Sequence, residues 1–222
     1  MADRDRRNLI AYRIAQELKD GDVVNLGIGL PTLVCAFIPP GIDITLQSEN
    51  GFIGLGPPPA KGEEDPEIVN AGGQPVTILP GGAFFDSAES FAIIRGGHVD
   101  VTVLGALEVD AYGNLASWMV PGKMVPGMGG AMDLVVGAKK VIVATLHTTR
   151  TGESKLRREC QLPLTAANQV DLVVTDMGVF QVNNGSMILL EKNPEFSVEQ
   201  IIAATEAPLE ISTQLKDMEI PA

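Results

Sequence analysis

The sequence predicts an α/β fold, a three-layer α/β/α sandwich on a mainly parallel sheet with hairpin additions. Three observations carry that expectation. Short β-rich runs alternate with helix-compatible stretches along most of the 222 residues. Several runs, such as Val141-Ile142-Val143-Ala144 and Val170-Asp171-Leu172-Val173-Val174, are nearly continuous in apolar character, as strands covered on both faces are. Two other segments, 104–118 around Tyr112-Gly113-Asn114 and 180–190 around Asn183-Asn184-Gly185, carry asparagine and glycine that supply the positive φ of antiparallel hairpin turns.

Taken in order, Leu9, Ile10, Ile14 and Leu18 recur at helical spacing, which predicts an amphipathic helix over 4–19 stopped by Asp20-Gly21. Strands are predicted at 22–26, 42–46, 75–79, 99–104, 140–146 and 170–175. The loop 56–65 runs from Pro57-Pro58-Pro59 into Glu63-Glu64-Asp65, too polar at its end for a core, and reads as a surface loop or lid. The tail after Pro208 is expected to wrap a neighbour or fray. Without an internal repeat, low-complexity tract or composition break, residues 1–222 read as one domain.

Composition excludes some function classes. A formal net charge of −12 repels polyanions, which argues against nucleic acid and anionic membrane as partners. Lys155, Arg157 and Arg158 form the densest basic run, short enough to be a solvated face. Cys35 and Cys160 are too few for a disulfide scaffold or a zinc cage, and their apolar surroundings suggest buried thiols in a reducing compartment. With no apolar stretch of signal-peptide or membrane-spanning character, the cytoplasm is the expected location, and the sequon at Asn184 has no secretory context.

Few side chains are candidates for chemistry. The two histidines, His98 and His147, form no cluster of metal-ligand spacing, so no metal is expected, and both read as structural before catalytic. Gly27-Ile28-Gly29-Leu30-Pro31-Thr32 marks a strand turning into a helix, where main-chain N–H groups face an anion or serve tight packing. Ser48-Glu49-Asn50-Gly51 follows an apolar strand, which puts a carboxylate at the ligand side of an open α/β sheet, although the bare tetrapeptide reads first as a solvated turn. Gly127-Met128-Gly129-Gly130 enters an apolar helical stretch, a turn suited to an oxyanion hole or to close packing.

The order of these blocks carries a resemblance. GIGLPT at 27–32, SENG at 48–51, LPGGAFFDSAESFAIIRGGHVDVTVLGALEVDAYGNLASWMVPGKMVPGMGGAMDLV at 79–135 and QLPLTA at 161–166 together resemble the β subunit of family I CoA-transferases, the 3-oxoacid and butyrate/acetate–acetoacetate type. The resemblance implies that Glu49 is the covalent nucleophile of a ping-pong reaction through a glutamyl-CoA thioester. Main-chain donors around Gly29, Gly129 and Gly130 are then expected to form the oxyanion hole, with Ser48 and Asn50 orienting the carboxylate or forming the turn. It implies an α subunit, an α2β2 assembly, and no cofactor, CoA and acyl-CoA being substrates. Acetoacetate with acetate, butyrate or succinate leads as the acyl pair, with 3-oxoadipate and succinate behind. A non-catalytic ligand-binding module and a sugar-phosphate isomerase or deaminase on a related sandwich are the competing readings.

Overall fold

The computed structural model describes residues 3–221 except 123, 124 and 126, so Lys123, Met124 and Pro126 of the block 79–135 lie outside the described residues. Its centre is a parallel block of five strands, β1 (Val23–Leu26), β2 (Thr45–Ser48), β5 (Val101–Gly105), β8 (Lys140–Ala144) and β10 (Leu172–Val174), in the spatial order β2-β1-β5-β8-β10. Antiparallel strands extend both ends. On the β2 side follow β3 (Phe52–Leu55) and β4 (Ile78–Phe84). On the β10 side follow β11 (Gly178–Asn183) and β12 (Ser186–Lys192), and β13 (Leu209–Asp217) then pairs parallel with β12. Ten strands thus form one mixed sheet, and both predicted hairpins are present. The first of them is β6 (Glu108–Asp110) with β7 (Leu115–Ala116), which joins β9 (Leu156–Arg157) in a separate three-stranded sheet.

Alternation along the buried strands feeds two cores, one on each face of the large sheet. Ile142, Ala144, Leu172 and Val174 pack with Val24, Val101 and Val103 against α1 (Asp3–Ala15) and the 3-10 helix Pro31–Phe37, through Leu9, Ile10, Ile14 and Val34. Their neighbours Val141, Val143 and Val173 face the other way, onto Ile94 of α2 (Ser87–Arg95), Leu134 and Val135 of α3 (Ala131–Gly137) and Ile201 of α4 (Val198–Ala204). Helices on both faces make the predicted three layers. Full burial of Leu9, Ile10 and Ile14 contributes ~2 kcal/mol each, so α1 is held by its packed stripe more than by its polar sequence.

Several boundaries differ from the sequence reading, each for a local reason. α1 stops at Ala15, because Leu18 reaches the core through tight turns from Ile14 and Ala15, not through a further helical turn. β2 starts at Thr45 and not at 42, since its partner β1 begins only at Val23, after Gly21 has turned the chain at φ +83°. The segment expected as a strand at 75–79 keeps only a bridge from Pro75 to Val69, and regular pairing starts at Ile78. The tail after Pro208 neither frays nor leaves the molecule. Its residues 209–217 pair along β12, and Lys192 and Lys216 bind Asp217 and Glu191. Among the described residues no helix is long and apolar enough to cross a membrane.

Candidate active site

Glu49 stands in the tight turn between β2 and β3, at the carboxyl edge of the parallel block, where ligands of open α/β sheets bind. The reversal depends on Gly51. Its N–H donates to Ser48 O at 3.1 Å, its φ is +127°, and a Cβ there would run into the main-chain oxygen of Phe85. Phe85 N–H closes the other side by donating to Gly51 O at 2.9 Å. The turn is thereby fixed from both flanks, and the half-buried Glu49 carboxylate opens onto a cleft of about 670 Å³.

The cleft walls are mostly apolar. Leu26, Leu46 and Leu55 line it from the sheet, and Thr32 and Cys35 from the 3-10 helix. Pro57, Pro58 and residues 70–72 and 74–76 line it from the long β3–β4 connection, whose acidic stretch Glu63-Glu64-Asp65 stays exposed. This connection is therefore a wall at its two ends and a solvated loop at its tip. Ser48 and Asn50 fasten it to the turn. Ser48 Oγ donates to Asn50 Oδ1 at 2.6 Å and accepts from Ala71 N–H at 3.3 Å, while Asn50 Nδ2 donates to Val69 O at 2.8 Å. These bonds latch the wall; none of them reaches the Glu49 carboxylate.

The carboxylate itself receives a main-chain donor from 81 residues away. Gly130 N–H, just ahead of α3 and without an intrahelical acceptor, donates to Glu49 Oε1 at 3.1 Å. A Cβ on Gly130 would lie 2.9 Å from Glu49 Cδ, and one on Gly129, at φ +54°, would lie 3.5 Å from Oε1. Packing of α3 against α2 carries this glycine turn to the site, assisted by the Arg95–Asp133 ion pair at 2.7 Å. Gly29 is placed differently. It is exposed at φ +92°, its carbonyl accepts from Thr32 Oγ1, and its neighbours Ile28 and Thr32 line the cleft without a described bond from Gly29 to Glu49.

Other expectations about side chains are revised. Cys35 is exposed at the cleft rather than buried, because the 3-10 helix turns that side chain away from Val34 and the core. Cys160 is half-buried, and desolvation beside Asp110 and Glu108 pushes its thiol pKa far up. The basic run is not a solvated face throughout. Lys155 donates to Ala106 O and Thr145 Oγ1, Arg157 binds Glu108 and Glu206, and Arg158 alone of the three is exposed. His98 is exposed, just after the turn at Gly96-Gly97. His147 is buried, with Nδ1 3.1 Å from Thr175 Oγ1 and Nε2 3.0 Å from Thr205 Oγ1, and burial lowers its pKa to about 4. It stands outside the cleft lining, as a structural histidine does.

The site thus sets a half-buried carboxylate at a strand end against a main-chain N–H in a largely apolar cleft. Residues 7–204 match the family described as Coenzyme A transferase. The chain belongs to that family. It is 56% identical over 211 residues to "Acetate CoA-transferase subunit beta" of Escherichia coli (strain K12), covering 95% of this chain and 96% of that one. It is also 48% identical over 220 residues to "Succinyl-CoA:3-ketoacid coenzyme A transferase 2A, mitochondrial" of Rattus norvegicus, covering 98% of this chain but 42% of that protein. Among solved structures, the acyl-CoA transferase YdiF from Escherichia coli O157:H7 in a thioester complex with CoA superposes with a TM-score of 0.76 at 25% identity, over 97% of this chain and 43% of that one.

Proposed function

We propose that residues 1–222 act as one unit, the β subunit of a CoA-transferase of the 3-oxoacid type, with Glu49 as nucleophile and with acetoacetate and acetate, butyrate or succinate as the exchanged acids. One observation carries the reading: a carboxylate at the carboxyl edge of β2 already faces the donor that its reaction needs, Gly130 N–H. The names of the relatives, acetate and succinyl-CoA:3-ketoacid transferases, support the substrate class.

In the reaction a Glu49 oxygen attacks the acyl-CoA carbonyl, the C–S bond breaks, and CoA leaves as thiolate, giving an acyl-glutamyl anhydride. The thiolate then attacks Glu49 Cδ and expels the donor acid as its carboxylate, leaving a glutamyl-CoA thioester. The acceptor carboxylate attacks that thioester and the thiolate returns to the new acyl carbonyl, freeing Glu49 and a new acyl-CoA. Neither the carboxylate nor the thiolate needs a general base, which fits a cleft without a histidine among its described lining. When Cδ is attacked, Oε1 becomes the oxyanion, and Gly130 N–H is already bonded to it. Main chain at Gly29, between cleft-lining Ile28 and Thr32, is the second proposed donor. The apolar walls keep water from the anhydride.

We also propose an α subunit in an α2β2 assembly in the cytoplasm, with no cofactor beyond the CoA substrates. No lysine or arginine is among the described lining of the cleft, so the phosphates of CoA find no counter-charge there. The mitochondrial relative, by contrast, has more than half of its length outside the match. Intact-mass analysis of the assembled complex, given acetoacetyl-CoA without an acceptor acid, tests the reading. The expected result is this chain heavier by one CoA, and no adduct on Glu49→Ala. A wild-type complex that stays unmodified across several acyl-CoAs would favour a non-covalent binding module.

A further inference from the structure

A polar stripe crosses the sheet directly beneath the nucleophile. Asn25 on β1 stands in register with Gln47 on β2 and Thr102 on β5, so the three side chains share a face of the sheet. Asn25 Nδ2 donates to Gln47 Oε1 at 2.7 Å, Gln47 Nε2 donates to Ser90 Oγ of α2 at 3.1 Å, and Ser90 Oγ donates to Glu49 O at 2.8 Å. Asn25, Gln47 and Ser90 are all buried, with relative exposures of 2%, 3% and 0%.

The direction of this chain of bonds is fixed by a group that cannot be flipped. Asn25 Nδ2 also donates to the main-chain oxygen of Gln47 at 3.2 Å, which takes only a donor. Asn25 must therefore present its nitrogen, Gln47 must answer with Oε1, and Nε2 must face Ser90. The Ser90 hydroxyl, accepting from Nε2, has its own proton free for Glu49 O. Among the described residues that hydroxyl is the only donor to the Glu49 carbonyl, since the turn's own bond runs from Gly51 to Ser48.

The stripe is a poor stabiliser. Asn25 Oδ1 and Thr102 Oγ1 are buried without a partner among the described residues, and each such group costs about 1–3 kcal/mol. We propose that Gln47 and Ser90, anchored by Asn25, are positioning residues that hold the Glu49 peptide from below while Gly130 holds its carboxylate from the side. Rotation of that peptide swings the side chain off Gly130 N–H; the relay prevents the rotation. This inference rests on the reading of Glu49 as nucleophile.

The test uses the complex with its α subunit. Ser90→Ala removes the donor to Glu49 O. Gln47→Glu, of the same shape, presents an acceptor to Ser90 when ionised, draws the hydroxyl proton away from Glu49, and restores the original direction when protonated. Misplacement of a reacting group by an ångström costs on the order of 100-fold. The expected result is kcat reduced roughly 10- to 100-fold in S90A and in Q47E at alkaline pH, with KM for acyl-CoA within about twofold of wild type in S90A, whose side chain is not among the described lining of the cleft, whereas Gln47 is. Ser90→Thr retains the hydroxyl and recovers turnover, and Q47E recovers as pH falls, with no matching rise in wild type. Should S90A fail to assemble, the pH profile of Q47E decides alone. A Q47E rate equal to wild type, or equally depressed at every pH, overturns the relay. If Glu49→Ala still forms the CoA adduct, the nucleophile assignment fails instead, so the two failures are told apart.

Discussion

Replacing Gly130 with alanine isolates the contact on which the proposed chemistry depends. Gly130 has φ −79°, so alanine brings no backbone strain, and the three atoms nearest to its Cβ all belong to Glu49, with Cβ 2.9 Å from Cδ, 3.1 Å from Oε1 and 3.2 Å from Oε2. Ordinary contact needs about 3.4–4 Å, so the carboxylate must retreat by roughly half an ångström and abandon the 3.1 Å bond from Gly130 N–H. Glu49 is a half-buried side chain at a cleft, free to make that movement without disturbing the core. Losing one oxyanion donor raises a barrier by ~3 kcal/mol, so kcat is expected to fall about 100- to 1000-fold with little change in melting temperature. Steady-state transfer from acetoacetyl-CoA, with the rate of adduct formation followed by intact mass, measures it. A folded G130A complex forming the adduct within about threefold of the wild-type rate would refute the oxyanion role.

The remaining predictions concern the frame around the site. Gly51→Ala forces a side chain at φ +127° against Phe85, and is expected to lose ~2 kcal/mol in urea unfolding together with most turnover; unchanged stability would mean that the turn relaxes freely. Burial lowers the His147 pKa to about 4 from 6.5, so the unfolded chain binds the extra proton first. Stability from this residue is then complete above pH 6.5 and declines by ~3 kcal/mol as pH falls towards 4. His147→Gln should flatten that part of the urea-midpoint profile; an unaltered slope would place the linkage elsewhere. Arg13 binds Glu191 at 2.7 and 2.9 Å and Glu17 at 2.7 Å in a buried setting, so Arg13→Met strands Glu191 with Lys216 alone and is expected to cost ~3 kcal/mol. Adding Glu191→Leu should recover part of that loss, and a double variant no better than the single would contradict the pairing.

The parts of the fold legible in the sequence are those in which one strand carries its own signal. Val141-Ile142-Val143-Ala144 is apolar on alternate sides because both sides are core, and Asn184-Gly185, at φ +37° and +109°, turns a hairpin that its chemistry announces. β13 was missed because Leu209–Asp217 is largely polar, an edge strand whose place is set by β12 and by ion pairs from Lys192 and Lys216, and not by its own burial. The helical spacing of Leu18 overran α1 for a related reason. Periodicity registers that a residue is buried, whereas the route the chain takes to bury it is settled by turns.

The same division separates the parts of the site. A glutamate after an apolar strand and a glycine pair before a helix are each visible locally, but only α2–α3 packing turns them into one contact. Asn25, Gln47 and Ser90 are common residues with no motif, and strand register alone makes them a chain of bonds ending at Glu49. For a reaction that needs no proton shuttle this is where its demands should fall. In the proposed reaction no side chain has to relay a proton, so what remains is to aim one carboxylate at one donor and keep both still. Glycines that cannot bear a Cβ and amides that can bond in only one direction meet that demand, and neither leaves a titratable signature for a sequence search to find.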